Sequence, residues 1–367
     1  MASQINNYQC PACTGPLHYV GTSDKLECDY CGSSYSISEI EKLYAEQEEK
    51  AKEEYAAAQA VGDGWDNSNL TSWGEEANGM KVYSCPSCGA ELITDETTAA
   101  SCCPYCGNNN VVPGQFEDTL KPDKIIPFKI TKEQAMEGLK NHYKGKKLLP
   151  KSFVSGNSIQ EITGVYVPFW LFDGSASADV SYRCEKTRSE RHGDDEVIIT
   201  DHFDVQRSGH VEFDNVPVDA SSKMPSQHMD SIEPFDYSDL RDFSTAYLPG
   251  FLADKYDISI EDSASRADVR FENTILSDIA QTVTGYSSVQ AINKNVRIKR
   301  GKVEYALFPV WMLSTKFNGE TYTFAMNGQT GKMVGDLPID KGRLIGYFFK
   351  WFIPVAAVVA LLQMLLM

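Results

Sequence analysis

Cys10-Pro-Ala-Cys13 is followed after fourteen residues by Cys28-Asp-Tyr-Cys31. The same pattern returns as Cys85-Pro-Ser-Cys88 and Cys103-Pro-Tyr-Cys106, each cysteine 75 residues after its counterpart. A C-x2-C hairpin aims two thiolates at one point, and two such hairpins complete a tetrahedral S4 shell of the kind that suits Zn²⁺. Eight of the ten cysteines fall into this pattern. Thr14-Gly15, Gly32, Gly89 and Gly107 follow the knuckles, where the backbone must turn tightly. Two zinc ribbons are therefore expected, with metal ligands Cys10, Cys13, Cys28, Cys31, Cys85, Cys88, Cys103 and Cys106. Iron is the rival metal, since thiolate quartets also hold it. Closed four-cysteine sites are structural and keep no open position for substrate, so no catalytic residue is assigned to either. Cys102 adjoins Cys103, but the 75-residue repeat selects Cys103. Cys184 stands alone and reads as a small buried apolar residue.

The rest of the chain divides around these ribbons. Residues 1–37 read as the first ribbon, 38–80 as a charged helix and a tryptophan-containing linker, and 81–114 as the second ribbon. Residues 115–340 read as an α+β body with mostly antiparallel strands, and 346–367 as one C-terminal transmembrane helix. Ser38-Glu-Ile-Glu41 matches a capping box opening the charged helix, and Trp65 and Trp73 in the linker are expected to dock onto the body, with anchoring a partner as the alternative. In the body, Lys132–Lys144 and Glu261–Thr282 show helical spacing. Gly164–Asp173 reads as a buried strand. Ser175–Arg183 and Glu196–Phe213 read as further strands with a turn at Ser208-Gly209. Arg300-Gly301 reads as a turn before Lys302–Phe317, and Asn318-Gly319 and Asn327-Gly328 as hairpin turns. Val167-Pro-Phe-Trp-Leu-Phe resembles Phe308-Pro-Val-Trp-Met-Leu. This fainter repeat suggests an internal duplication sharing one sheet, with Pro168 and Pro309 at strand starts or bulges.

Charge and the C-terminus narrow the function classes. The formal net charge is −17, and Lys341, Arg343 and Lys350 lie after residue 340, where no acid occurs. The preceding part thus sets 31 basic residues against 51 acidic ones, a balance that repels phosphate backbones. Tyr347–Met367 carries one charge, Lys350. Its 21 residues would make a helix of about 31 Å at ~1.5 Å per residue, enough for a bilayer core of ~30 Å. Positive residues on its N-terminal side, and free thiolates that need a reducing compartment, both place the bulk of the chain in the cytoplasm. The expectation is a tail-anchored, single-pass protein of the cell membrane.

No enzyme motif emerges. Gly145-Lys146, Gly301-Lys302 and Gly331-Lys332 lack the upstream glycine and the Ser/Thr of a phosphate loop, and no H-E-x-x-H occurs. His192, His202 and His210 sit among Asp194, Asp195, Asp201 and Asp204; a further metal site there is disfavoured against solvated strand faces. The basic runs Lys144–Lys147 and Arg297–Lys302 are the candidates for nucleic-acid contact.

The two CPxCG-type ribbons, Tyr166–Gly174 (YVPFWLFDG), Phe308–Leu313 (FPVWML), Ala325–Pro338 (AMNGQTGKMVGDLP) and the terminal apolar run together resemble a bacterial family of membrane-associated proteins with transcription-factor-IIB-type zinc ribbons. Members are often labelled primosomal helicases although the motor is missing. The resemblance implies two structural zinc ions on the eight cysteines and an adaptor or scaffold role. Its partners would be proteins at the membrane, phage-shock-type or SPFH-type among them, and the lipid bilayer. Nucleic acid, as an accessory of transcription or replication, is the alternative.

Overall fold

The computed structural model describes residues 9–366 except 15–16, 21–24, 29–30, 61–62, 75–76, 78, 101, 115–118, 151, 154–161, 193–194, 225 and 336. Strands β1 (Leu17–Val20), β2 (Lys25–Cys28) and β3 (Ser34–Tyr35) form a small antiparallel sheet around the first cysteine quartet. Helix α1 (Ile37–Ala60) follows. Its capping box is Ser36 with Glu39, two residues before the expected one: the Ser36 N–H donates to Glu39 Oε2 at 2.9 Å, and the Glu39 N–H to Ser36 Oγ at 3.3 Å. Strands β4 (Met80–Ser84), β5 (Glu91–Asp95) and β6 (Val112–Gly114) carry the second quartet. The body follows as β7 (Lys124–Ile125), α2 (Lys132–Tyr143), β8 (Thr163–His192), β9 (Asp195–Asp219), α3 (Ser226–Ile232), β10 (Arg241–Asp242) and β11 (Leu252–Asp254). It ends in α4 (Ile260–Gln281), β12 (Ser288–Phe317), β13 (Glu320–Asn327), β14 (Met333–Gly335) and α5 (Lys341–Leu366). One large, mostly antiparallel sheet runs β10-β7-β12-β8-β11-β5-β4-β6, with β9 against β8 and β13 then β14 beside β12.

The two resembling motifs are neighbours at the centre of this sheet, Val167 opposite Phe308 and Trp170 opposite Tyr305. The pairing around each is the same. β11 pairs parallel with β8 at Val165 and Tyr166, and β9 takes over from Phe169. β7 pairs parallel with β12 at Ala306 and Leu307, and β13 takes over from Val310. Each unit is thus a short strand, a helix, a long strand and a returning strand, and each short strand pairs with the other unit's long strand. Trp170 Nε1 donates to Ile258 O just before α4 (3.0 Å), and Trp311 Nε1 donates to Ile130 O just before α2 (2.8 Å). The two tryptophans are core residues that also tie the units together.

The prolines mark a correction. Pro168 and Pro309 lie within their long strands, at the residues where one neighbouring strand ends and the next begins. A residue without an N–H is harmless in such a gap. The expected turns at Ser208-Gly209 and Arg300-Gly301 are also absent. β8 and β12 each run 30 residues without interruption, and the β8–β9 hairpin closes between His192 and Asp195. The glycines serve close approach instead. A Cβ on Gly174 would lie 2.6 Å from Lys299 O, and one on Gly209 would lie 3.2 Å from Ile279 of α4. The register of β12 on β8 slips between Arg300 and Val303, where Gly301 meets the Asp173 carbonyl. Glycine within a strand marks bulges and backbone contacts as readily as turns.

α4 lies on β8 and β9, burying Ala264, Ala267, Phe271, Ile275 and Ile279, and α1 lies on α4. Ile40 and Tyr55 of α1 are buried while Leu43 is exposed. Both linker tryptophans dock as expected. Trp65 meets Phe172 and Phe271 edge-on, and Trp73 packs on Phe243 and donates Nε1 to Leu120 O at 3.0 Å. The Asn327 and Gln329 side chains of the Ala325–Pro338 motif bond the backbone of 232–236, holding the segment after α3 on the sheet. The span expected at 346–367 falls on α5, a helix with Pro354 inside it, as far as Leu366; Met367 lies outside the described residues. Among the described residues no helix is long and apolar enough to cross a membrane; the side chains of 356–367 lie outside those described.

Candidate metal centres

All four cysteine knuckles fold alike. The N–H four residues on donates back to the first cysteine's carbonyl: Thr14 to Cys10 and Gly89 to Cys85 at 2.8 Å, Gly32 to Cys28 and Gly107 to Cys103 at 2.9 Å. Each donor sits at positive φ, between 65° and 71°, which glycine adopts freely and other residues do not. The turns bring Cys10, Cys13, Cys28 and Cys31 together, and likewise Cys85, Cys88, Cys103 and Cys106, with every sulfur of a quartet within 4.8 Å of the others. Sulfurs approach to 3.5 Å in the first quartet and 3.6 Å in the second. A disulfide requires ~2.05 Å. The edge of an S4 tetrahedron with Zn–S of about 2.3 Å is about 3.8 Å. Donor set and spacing therefore fit a four-coordinate metal, and the two quartets could hold two zinc ions.

The thiols are not equivalent. Hydrogen bonds from Cys13 and Cys28 draw Cys10 well below the usual thiol range, whereas burial pushes Cys103 well above it. A metal would displace the remaining protons, so its binding releases acid and strengthens with pH. When bound, it would supply a cross-link between the two hairpins of each ribbon.

The settings of the quartets differ. The first is seated on the body by side chains. Thr14 Oγ1 lies 3.3 Å from the Tyr182 hydroxyl, 3.4 Å from Leu276 O and 2.5 Å from its own ribbon's Cys13 O, Gln9 Nε2 donates to Asn273 O, and the Ala291 N–H donates to Ala12 O at 3.0 Å. The second is woven into the main sheet through β5 against β11. Its Tyr105 hydroxyl donates to Asp254 Oδ2 at 2.7 Å, and Ser221 Oγ donates to the same oxygen at 2.6 Å. Asp254 is fully buried, and burial pushes its carboxyl up to about 7.

Thr14 and Tyr105 are the residues that the sequence reading missed. Thr14 breaks the glycine rule of the other three knuckles, and that departure was the signal: its hydroxyl makes the docking bonds. Tyr105 gave no signal, because its partner lies 149 residues away.

The other candidates disperse. Cys184 is buried in the core and Cys102 stands outside the second quartet. Among the described residues no further group of His, Cys, Asp or Glu converges on a metal-sized site. His202 lies opposite Glu185 and His210 opposite Ser177, eight residues and about 26 Å apart along β9. The basic run on β12 is paired within the chain: Arg297 to Asp179 at 3.0 Å, Arg300 to Asp268 at 2.7 Å, Lys302 to Asp173 at 3.3 Å.

No family model matches the chain, and no solved structure matches it. The uncharacterised protein YdjG of Bacillus subtilis (strain 168) is 35% identical, with 72% of this chain and 92% of YdjG covered. That breadth takes in more than either ribbon or either body unit alone. This chain therefore belongs to the same family as YdjG.

Proposed function

We propose that the protein is a tail-anchored membrane adaptor, with two structural zinc ions stiffening a scaffold that presents itself to protein partners at the cytoplasmic face. The observation that carries this reading is the surface of α5. Leu344, Phe348 and Trp351 on one side and Ile345, Phe349 and Ile353 on the next are each 47–68% exposed. Large apolar side chains in such density demand a cover, and the sequence continues without charge to Met367. A bilayer is the cover that suits a helix apolar over most of its circumference.

The adaptor part of the reading rests on shape. Beyond the end of α4 the β8–β9 hairpin continues as an arm, with Val197, Ile198 and Phe203 exposed on it. The closed donor sets of the quartets suit stiffening rather than catalysis. The internal pairing of Arg297, Arg300 and Lys302 favours protein partners over nucleic acid.

The full-length chain should sediment with membranes, resist alkaline carbonate extraction, and carry a stoichiometric protein partner after gentle detergent solubilisation. Recovery of the full-length chain in the soluble fraction would sink the membrane reading. Anchoring without any partner would sink the adaptor reading.

A further inference from the structure

We infer that the root of α5 carries a composite basic collar that recognises anionic lipid headgroups. The inference rests on the membrane reading above and adds the chemistry of the bilayer surface. Its parts come from two distant stretches of sequence. Between Gly138 and Ser152 there are five lysines and no acid. The turn after α2, with Lys144, Lys146 and Lys147 all exposed, is fastened to the start of α5. The Asp340 N–H donates to Leu148 O at 2.9 Å, and Arg343 Nη1 donates to Leu149 O at 2.9 Å and lies 3.5 Å from Lys147 O.

Asp340 is bound to Arg343 at 3.3 Å. The guanidinium is thus occupied in holding the turn against the helix, and the three lysine side chains are left to face outward. Arg343 and Lys350 are seven residues apart and share one side of α5, two turns apart. The exposed apolar residues occupy the other sides. A strongly acidic protein thus concentrates cations where an apolar helix leaves its surface. An anionic bilayer meets both features together: acyl chains take the apolar residues, and headgroup phosphates take the ammonium groups. A neutral bilayer would satisfy the first alone.

The test uses the full-length protein with vesicles of phosphatidylcholine alone and vesicles containing phosphatidylglycerol, compared with a Lys144→Gln, Lys146→Gln, Lys147→Gln variant. Each lysine near an anionic surface is worth about fivefold in partitioning. The wild-type chain should therefore prefer the anionic vesicles at low salt. The triple variant should lose on the order of a hundredfold of that preference while still binding neutral vesicles through α5. Added salt should erase the wild-type preference without any substitution. Unchanged metal content would show that the variant is folded.

Equal wild-type binding to both vesicles would overturn the collar and leave the membrane anchor standing. Binding to neither would overturn the anchor itself. Salt-sensitive capture of a DNA duplex that the triple variant loses, without lipid preference, would assign the lysines to nucleic acid and overturn the inference.

Discussion

The two cysteine quartets share their spacing and their turn geometry, yet they hold different things together. The first closes a three-stranded sheet of its own, and its described contacts with the body include the side chains of Gln9 and Thr14, a backbone bond at Ala291 and apolar packing on Val289. The second sits among strands of the main sheet, where β5 is flanked by β4 and β11. Local sequence sets the chemistry of a metal centre, but the sheet around it sets how far its loss propagates.

The sharpest way to break that contrast is to remove one ligand from each quartet. Cys103→Ser should abolish the cooperative unfolding transition of the body. Structural zinc sites contribute on the order of 10 kcal/mol in isolated fingers, comparable with the whole stability of a domain. Cys28→Ser should lower the metal content from two ions to one while the main thermal transition persists. Loss of the body's transition in Cys28→Ser, or its survival in Cys103→Ser, would reverse the comparison.

A gentler probe separates the two seats. Tyr105→Phe takes one of two donors from a buried carboxylate oxygen and should cost about 1–3 kcal/mol in urea unfolding. Thr14→Gly keeps the positive φ that the knuckle needs and removes the buried side chain, its docking hydroxyl included. It should speed amide exchange within residues 9–35 and leave the global urea midpoint nearly unchanged. Equal shifts in the two midpoints would mean that the first ribbon is as tightly integrated as the second.

A last probe lies away from both quartets and serves as their reference. Glu233 lies 3.0 Å from Arg270, but burial outweighs that partner and pushes its carboxyl up from the ordinary 4.5 to about 7. The folded chain therefore binds this proton more tightly than the unfolded chain. Its contribution to stability is fully present below about pH 4.5 and is lost as pH rises through about 7. Glu233→Gln should flatten the stability–pH profile in that window, measured by urea unfolding at fixed metal loading. Metal binding has the opposite sign, since acid protonates the thiols. A steeper profile in the variant would contradict the burial argument.

Much of the α+β architecture was legible from local signals. Helical spacing located α2 and α4 within one or two residues, because each buries a stripe of Ala, Leu, Ile or Phe against the sheet. Asn318-Gly319 marked the β12–β13 hairpin because Asn318 and Gly319 both take positive φ there. Glycine misled where it stood inside a strand: Gly209 and Gly301 look like turn residues in one dimension and are contact residues in three. Ser36 and Ser38 offer two overlapping capping boxes, and the helix forms the first, with Ile40 buried one residue beyond Glu39.

The sequence by itself determined the two groups of four cysteines that could hold a metal, because C-x2-C spacing and a following tight turn are local geometry. It also exposed the repeated motif of the body and the apolar end of the chain. Only the tertiary structure decided what these features join. Long-range pairing exchanged the short strands between the two body units, wove the second quartet into the main sheet and left the first on its surface. It also carried Lys144–Lys147 to the root of α5. Those choices depend on which distant backbone groups find partners as the chain collapses, and no local pattern encodes them.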